Sequence, residues 1–289
     1  MKSSLKRILT GLVLIPLVVA MVYLVPPAIF SYLMIILAFC IFSEYLTMFG
    51  ERKHSTFILV ALLMLFLVDS TSKMGLIMNM SLELGVGKME QLFNSLKYFF
   101  LALWSGVVLV PMLTMAGKDP VNVKFRRLSI YMFGYFYFGL TFGLFPLVRH
   151  YGNNCHWLMF ALVIPWVCDS AAYFGGRALG KHKFSPLISP NKTWEGTVSG
   201  IIFSTVAGAV MAFTLLKDEP RLFVVATAFA VGILGQFGDL IESLIKRGAG
   251  VKDSGSIFPG HGGLFDRLDS LIISVTVVFL ALLVKSYVL

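Results

Sequence analysis

The chain has 289 residues, of which 57% are hydrophobic and only 13% are charged. Soluble domains usually carry about 25% charged residues, so this composition excludes an ordinary soluble domain and indicates an integral membrane protein. The formal net charge of +9 would suit a nucleic-acid partner, but the basic residues form short clusters between apolar runs. That pattern is typical of membrane topology signals and of sites for anionic ligands, so we expect no nucleic-acid partner.

Nine apolar stretches are candidates for membrane-spanning helices, each of which needs roughly 20 mostly apolar residues. We therefore predict an all-α, polytopic integral membrane protein with about nine transmembrane helices. Eight is the alternative, because the third stretch is the weakest. The first stretch is similar to a signal peptide, but Pro26 and Pro27 follow it in place of a clear cleavage site, which favours a retained helix. The predicted spans are 8–25, 28–49, 55–72, 98–116, 128–148, 156–175, 196–216, 221–241 and 268–288.

The Lys and Arg residues are distributed unevenly among the predicted loops. A cytoplasmic N-terminus places most of the 24 Lys and Arg residues on the cytoplasmic side, as the positive-inside rule requires. We therefore predict a cytoplasmic N-terminus, with both motif-rich loops of the second half also facing the cytoplasm. The segment 73–97 mixes charged and apolar residues, and we predict an external loop with an amphipathic helix at the interface.

Polar residues that could carry chemistry gather after about residue 155. We predict that residues 1–154 form an N-terminal transmembrane scaffold. Residues 155–289 are predicted to form a catalytic transmembrane region with cytoplasmic active-site loops. Cys40, Cys155 and Cys168 lack the spacing of metal ligands, so we expect them to pack as small apolar side chains.

The segment 169–196 contains the first group of candidate functional residues. Asp169 follows an apolar run, and ionisable residues at such positions are functional candidates. A basic loop with two prolines follows it, and its SPNKTWEG motif concentrates hydrogen-bond donors immediately before a helix, where anions bind well. The candidate ligand-binding residues here are Arg177, Lys181, Lys183, Ser189, Asn191, Lys192 and Thr193. A topology signal or a lipid-headgroup patch is the alternative interpretation of this loop.

The segment 236–269 contains the second group. Asp239, Glu242, Ser243 and Lys246 form one polar stripe on an otherwise apolar helix, because their spacing repeats every three to four residues. Mutual neutralisation is the alternative explanation of this stripe. Further acids and bases follow in a glycine-rich loop: Arg247, Lys252, Asp253, His261, Asp266, Arg267 and Asp269. Several carboxylates beside several cations is the composition of a site for Mg²⁺ and phosphates.

The chain resembles the phosphatidate cytidylyltransferase (CDP-diacylglycerol synthase) family of bacterial membrane enzymes. Ser243–Asp269 agrees with the family's long C-terminal signature, S-x-hydrophobic-K-R-x4-K-D and P-x-H-G-G-hydrophobic-x-D-R-hydrophobic-D, at every specified position. Two shorter elements, Asp169–Arg177 and Ser189–Gly196, are also similar to the family. The resemblance implies cytidylyl transfer from CTP to phosphatidate, which gives CDP-diacylglycerol and pyrophosphate and requires Mg²⁺. It also implies a bacterial cytoplasmic membrane with membrane lipids around the protein.

The resemblance implies roles for particular residues. Asp239 and Asp266 are the leading metal ligands, with Asp169 and Asp269 beside them. Catalysis is assigned to Asp239, Asp266, Lys252, Arg267 and His261; for His261, a metal ligand, an acid–base group and a loop hydrogen bond all stay open. Substrate binding is assigned to Arg177, Ser189, Asn191, Lys192, Thr193, Lys246 and Arg247. A second, monovalent cation and a homodimer are also left open.

Other functions stay open at this stage. A CTP-dependent enzyme could act on another lipid phosphate or on a polyprenol. A transporter would place polar residues near the membrane midplane in both halves, whereas here they gather in the second half. A CDP-alcohol phosphotransferase would carry a D-G-x2-A-R-type acidic motif, which the sequence lacks.

Overall fold

A computed structural model describes residues 15–51, 56–80, 86–151, 155–255 and 262–288. Helices dominate these ranges, and one short hairpin interrupts them. The elements are α1 (Ile15–Leu24), α2 (Pro27–Met48), α3 (Thr56–Met80), α4 (Val86–Met115), α5 (Val121–His150), α6 (His156–Leu179), β1 (Lys183–Ser185), β2 (Ser189–Thr193), α7 (Trp194–Phe213), α8 (Arg221–Gly248) and α9 (Phe265–Val288).

The apolar helices agree with the predicted membrane architecture. Within the described residues, the eight helices α2–α9 are long and apolar enough to cross a membrane, and α1 is a shorter apolar helix. Helix α1 is the described part of the predicted span 8–25, whose residues 8–14 lie outside the described ranges. The prediction of an all-α polytopic membrane protein is therefore confirmed, with α1 as the ninth and shorter apolar helix.

The described part of the segment 73–97 is helical, so the predicted loop is wrong there, while its external position stays a prediction. Residues 73–80 continue α3, and residues 86–97 form the first turns of α4. An ion pair supports the extension of α3, because Lys73 Nζ lies 2.7 Å from Asp69 Oδ2 one helical turn earlier. Met and Leu, which are frequent in this segment, are also good helix formers. The described residues of this segment therefore lengthen α3 and α4 and do not form a separate interfacial helix.

The basic loop before α7 contains a hairpin that the sequence did not predict. Helix α6 ends at Leu179, and β1 and β2 then pair antiparallel, with Lys183 opposite Thr193 and Ser185 opposite Ser189. Thr193 is the N-cap of α7, because its hydroxyl accepts a hydrogen bond from Gly196 N at 3.2 Å. This cap satisfies a helix N–H that would otherwise lack a partner, so the SPNKTWEG motif enters α7 in a fixed direction.

The chain folds into two compact units. One unit comprises the described residues of 1–153 and 254–265, and the other comprises those of 154–253 and 266–289. The assignment of the first half as a scaffold and the second as the catalytic region stays a prediction, since it concerns function. The segment 254–265, although late in the chain, belongs to the first unit.

The first unit packs around aromatic side chains and one buried ion pair. Tyr131, Tyr135, Phe138 and Phe142 on α5 are fully buried. Nearby, the Arg127 guanidinium lies 2.9 Å from Glu51 Oε2, so this buried cation has a carboxylate partner. Burying either charge alone would be costly, and the pair therefore permits α5 to pass through the apolar core.

The second unit depends on small residues at its helix contacts. A Cβ added at Gly208 or Gly232 would collide with Ala228 or Ser204, so α7 and α8 approach each other closely. Close approach through small residues is a common way to pack helices in membranes. Helix α9 joins α6 through Ser274, whose hydroxyl donates to Ala161 O at 2.6 Å. These contacts join α7 to α8 and α6 to α9.

Candidate functional site

Three carboxylates meet between α8 and α9. Asp239, Glu242 and Asp269 each offer one oxygen atom, and these three oxygens lie within 4.8 Å of one another. Asp239 and Glu242 share a face of α8 because they are three residues apart. Gly238 permits the approach of α9, since a Cβ at this position would lie only 2.8 Å from Asp269 O.

Glu242 is a buried carboxylate that shares its cation with another acid. With 2% of its residue surface exposed, its Oε1 lies 3.0 Å from Lys246 Nζ, and the same ammonium lies 2.7 Å from Asp266 Oδ1. One ammonium between two carboxylates leaves a surplus of negative charge, which is costly to bury. The hard oxygen donors of Asp239, Glu242 and Asp269 suit a divalent cation such as Mg²⁺, which would balance that charge.

Lys246 connects the acidic group to the start of α9. Its Nζ lies 2.7 Å from Asp266 Oδ1 as well as 3.0 Å from Glu242 Oε1. The structure therefore places Asp266 on a lysine, one turn before Asp269, and the group of three carboxylates does not include it. The metal role of Asp266 stays a prediction. In the structure the Asp266 carboxylate is paired with the Lys246 ammonium.

Lys192 brings the hairpin to α8. Its Nζ lies 2.8 Å from Asp239 Oδ2 and donates to Gln236 O at 3.1 Å. Gln236 Oε1 accepts from the same ammonium at 3.4 Å, while Gln236 Nε2 donates to Cys168 Sγ at 3.1 Å. Asp239 and Gln236 of α8 therefore both hold the Lys192 ammonium next to the acidic group. Cys168 is buried in this packing, as predicted, and it also orients the amide.

Asp169 reaches the same region from α6. Its Oδ2 accepts a hydrogen bond from Ser270 Oγ at 3.2 Å, and Ser270 directly follows Asp269 on α9. Helix α6 also contacts the hairpin, because a Cβ at Gly176 would lie 2.9 Å from Thr193 Oγ1. The two motif segments that the sequence singled out are thus neighbours within the second unit.

The other predicted ligand-binding residues differ in their exposure. Arg177, Arg247, Lys252 and Arg267 are exposed, and Arg247 Nη1 donates to Val251 O at 3.1 Å. On β2, Asn191 is exposed, Ser189 is partly exposed and Thr193 is buried as the cap of α7. His261, predicted to be catalytic, lies outside the described residues. The roles of all these residues stay predictions.

Sequence reasoning missed the contributions of three polar residues. Glu242 belongs to the predicted polar stripe but not to the predicted metal ligands. Gln236 is absent from the predicted site residues, although its position three residues before Asp239 on an apolar helix is a signal that could identify it. Glu195 accepts from Lys181 N at 3.1 Å and lies 2.6 Å from His182 Nδ1, so it holds the start of the hairpin.

The fold and the site together define a class of protein. The chain is a multi-pass membrane protein that gathers carboxylates and lysines within one helical unit. Residues 5–285 match the Cytidylyltransferase family, and the chain belongs to this family. The resemblance seen in the sequence motifs is therefore confirmed.

Curated relatives support this membership. The chain is 43% identical over 134 residues to a phosphatidate cytidylyltransferase of Staphylococcus haemolyticus (strain JCSC1435), which covers 46% of this chain and 51% of that protein. It is 42% identical over 137 residues to a phosphatidate cytidylyltransferase of Bacillus subtilis (strain 168), with 46% and 50% covered. In these alignments the chain spans about half the length of the curated relatives that it matches.

The ion pairs of Lys246 allow a stability prediction. Lys246→Met would leave Glu242 and Asp266 buried without their shared cation, and breaking a buried pair in this way costs about 3–5 kcal/mol. We expect a clear fall in the unfolding temperature of the detergent-solubilised protein, measured by thermal size-exclusion chromatography. Adding Glu242→Gln to this variant should restore part of the loss.

Lys217→Met is the matched control, because Lys217 is exposed in the connection between α7 and α8. It should unfold at the wild-type temperature. Equal unfolding temperatures for the Lys246 and Lys217 variants would contradict the structural importance of the Lys246 pairs.

Proposed function

We propose that this protein transfers the cytidylyl group of CTP to phosphatidate, giving CDP-diacylglycerol and pyrophosphate. The observation that carries the proposal is the grouping of Asp239, Glu242 and Asp269 with Lys192 and Lys246 in a member of the Cytidylyltransferase family. The relatives in Staphylococcus and Bacillus bear the name of this activity. Their substrates are therefore the first candidates for this chain.

The proposed reaction requires little covalent chemistry from the protein. An oxygen of the phosphatidate phosphate attacks the α-phosphorus of CTP, and the bond from that phosphorus to the β-phosphate oxygen breaks. The pair of electrons leaves with pyrophosphate. A phosphate oxygen is already an anionic nucleophile at neutral pH, so the reaction needs no serine or cysteine nucleophile. The protein must align two polyanions and balance the charge on the leaving group.

The carboxylates are proposed to hold Mg²⁺. Asp239, Glu242 and Asp269 are the proposed ligands, and Asp169 lies next to them through Ser270. When bound, the cation would neutralise phosphate charge and favour departure of pyrophosphate. Glu242 joins the ligands proposed from the sequence, because its oxygen lies within 4.8 Å of those of Asp239 and Asp269. Asp266 stays a proposed ligand, and it also directs the Lys246 ammonium through their ion pair.

The cations and the hairpin are proposed to bind the phosphates. The Lys192 ammonium is fixed beside Asp239, so it can contact a phosphate that shares the cation. Ser189, Asn191 and Thr193 lie on the same strand and are proposed to contact the nucleotide. The other cationic side chains are proposed to bind the phosphates of the two substrates and of the leaving pyrophosphate. They are exposed or partly buried: Arg177, Lys246, Arg247, Lys252 and Arg267.

Pyrophosphate release tests the proposed reaction. Purified protein in detergent should release pyrophosphate from CTP only when phosphatidate and Mg²⁺ are both present, and the lipid product should contain one CMP unit. Parallel reactions with an ether-linked lipid phosphate and with a polyprenol test the alternative lipid substrates. Release with one of these lipids but none with phosphatidate would overturn the proposed substrate. No CTP consumption with any lipid would overturn the enzyme class.

Substitutions of single carboxylates test the metal group. Asp239→Asn and Asp269→Asn should lower turnover at least about a hundredfold, the order of loss seen when one electrostatic contact to the transition state is removed. Glu242→Gln should raise the Mg²⁺ concentration needed for half-maximal rate. Asp218→Asn is the control, because this exposed carboxylate lies in the connection between α7 and α8. Wild-type Mg²⁺ dependence in all three site variants would rule out the proposed ligands.

We also propose that the site faces the cytoplasm of a bacterial cell. The excess of Lys and Arg in the loops assigned to the cytoplasmic side supports this orientation. Asn191→Cys places a thiol on the exposed part of β2. A membrane-impermeant thiol reagent should label this variant in inside-out vesicles and not in intact spheroplasts, with wild-type protein as the background control. Labelling in spheroplasts would reverse the orientation.

A further inference from the structure

Glu44 is a buried carboxylate in the first unit for which the sequence suggested no role. It lies near the end of α2, and only 8% of its residue surface is exposed. Its hydrogen-bond partners come from residues 254–264, about 210 positions later in the chain. All these residues belong to the first unit.

The two oxygens of Glu44 bind the two described ends of residues 254–264, the motif segment. Ser254 Oγ donates to Oε1, and Leu264 N donates to Oε2 at 2.9 Å. Ser254 precedes the part of the segment outside the described residues, and Leu264 follows it. One side chain of α2 therefore binds both Ser254 and Leu264.

Two glycines leave room for the carboxylate. A Cβ added at Gly263 would collide with Glu44 Oε1, and one added at Gly255 would lie 3.0 Å from Glu44 Cδ. The backbone at Gly255 and at Gly263 can therefore lie close to the Glu44 carboxylate. Hydrogen bonds to a buried carboxylate are stronger than those between neutral groups, and the charge is costly to bury without them. Glu44 and the segment therefore stabilise each other.

The clamped segment is flanked by residues assigned to the reaction. Lys252 lies two residues before Ser254 in the chain, while Asp266 and Arg267 follow Phe265. Fixing Ser254 and Leu264 restrains these neighbours through the backbone, because each is separated from a clamped residue by at most three peptide bonds.

We propose that Glu44 is a positioning residue, which holds Ser254 and Leu264 by paired hydrogen bonds and thereby places the residues next to them in the chain for the reaction. Its effect on turnover rests on the proposed cytidylyl transfer, whereas its effect on the segment does not. The required property is hydrogen-bond geometry and not the charge itself. A glutamine can satisfy both partners, since its carbonyl oxygen can accept from Leu264 N and its amide can donate to the Ser254 hydroxyl.

Hydrogen exchange at the Leu264 amide is the direct test, because this amide donates to Glu44. Glu44→Ala should accelerate its exchange in detergent roughly ten- to hundredfold, as expected for losing a hydrogen bond to a charged group. The value of kcat/KM for CTP should fall by a similar factor, since the active arrangement becomes less populated. Glu44→Gln should keep both quantities within about threefold of wild type, because the paired bonds are retained.

Two further variants separate the clamp from a general loss of stability. Ser254→Ala removes one of the two bonds and should give a smaller change, roughly three- to tenfold in exchange, and it keeps the test available if Glu44→Ala does not fold. Glu51→Gln alters another buried carboxylate of the first unit. It should lower the unfolding temperature while leaving Leu264 exchange and kcat/KM unchanged.

Wild-type exchange at Leu264 in Glu44→Ala would overturn the proposal, and so would a Glu44→Gln variant as defective as Glu44→Ala. Accelerated exchange with unchanged kcat/KM would also overturn the positioning role. If the wild-type protein released no pyrophosphate, the proposed reaction would fail. The exchange data would still decide whether Glu44 clamps the segment.

Discussion

Pairing of charges inside an apolar helical unit is the constraint on which the site depends. A carboxylate or an ammonium buried alone costs several kcal/mol, so each must find a partner. Lys246 lies between Glu242 and Asp266, and Lys192 contacts Asp239. These contacts connect α8 with α9 and with β2. The same pairs that make the buried charges tolerable therefore fix the relative positions of the groups that are proposed to bind phosphate.

The pairing leaves a surplus of negative charge at one point. Asp239, Glu242 and Asp269 lie together, and the Lys246 ammonium beside Glu242 is shared with Asp266. Two lysines, Lys192 and Lys246, therefore face these four carboxylates. A site for a divalent cation needs such a surplus of carboxylate oxygens. The small residues at the helix contacts, Gly238 among them, allow this crowding of like charges.

The first unit contains residues 254–265 of the motif region as well as the N-terminal helices. The motif segment leaves the second unit after Asp253 and returns to it at Asp266. Between these positions, Glu44 of α2 binds both described ends of the segment. Glu44 is therefore hydrogen-bonded to residues more than 200 positions later in the sequence. Gly255 and Gly263 leave room for its carboxylate, which gives a steric reason for glycine at both positions.

The sequence by itself determined the membrane class, the approximate spans and the family. These follow from local properties, namely the length of apolar runs and the order of residues in Ser243–Asp269. Only the tertiary structure decided which charges meet. Spacing along α8 placed Asp239 beside Glu242, but it could not show that Asp269 joins them while Asp266 faces Lys246. Gln236 and Glu44 were equally hidden, because their partners are distant in sequence. The sequence does not predict the hairpin because its strands have only three and five residues, β2 contains Pro190, and tertiary contacts hold it in place.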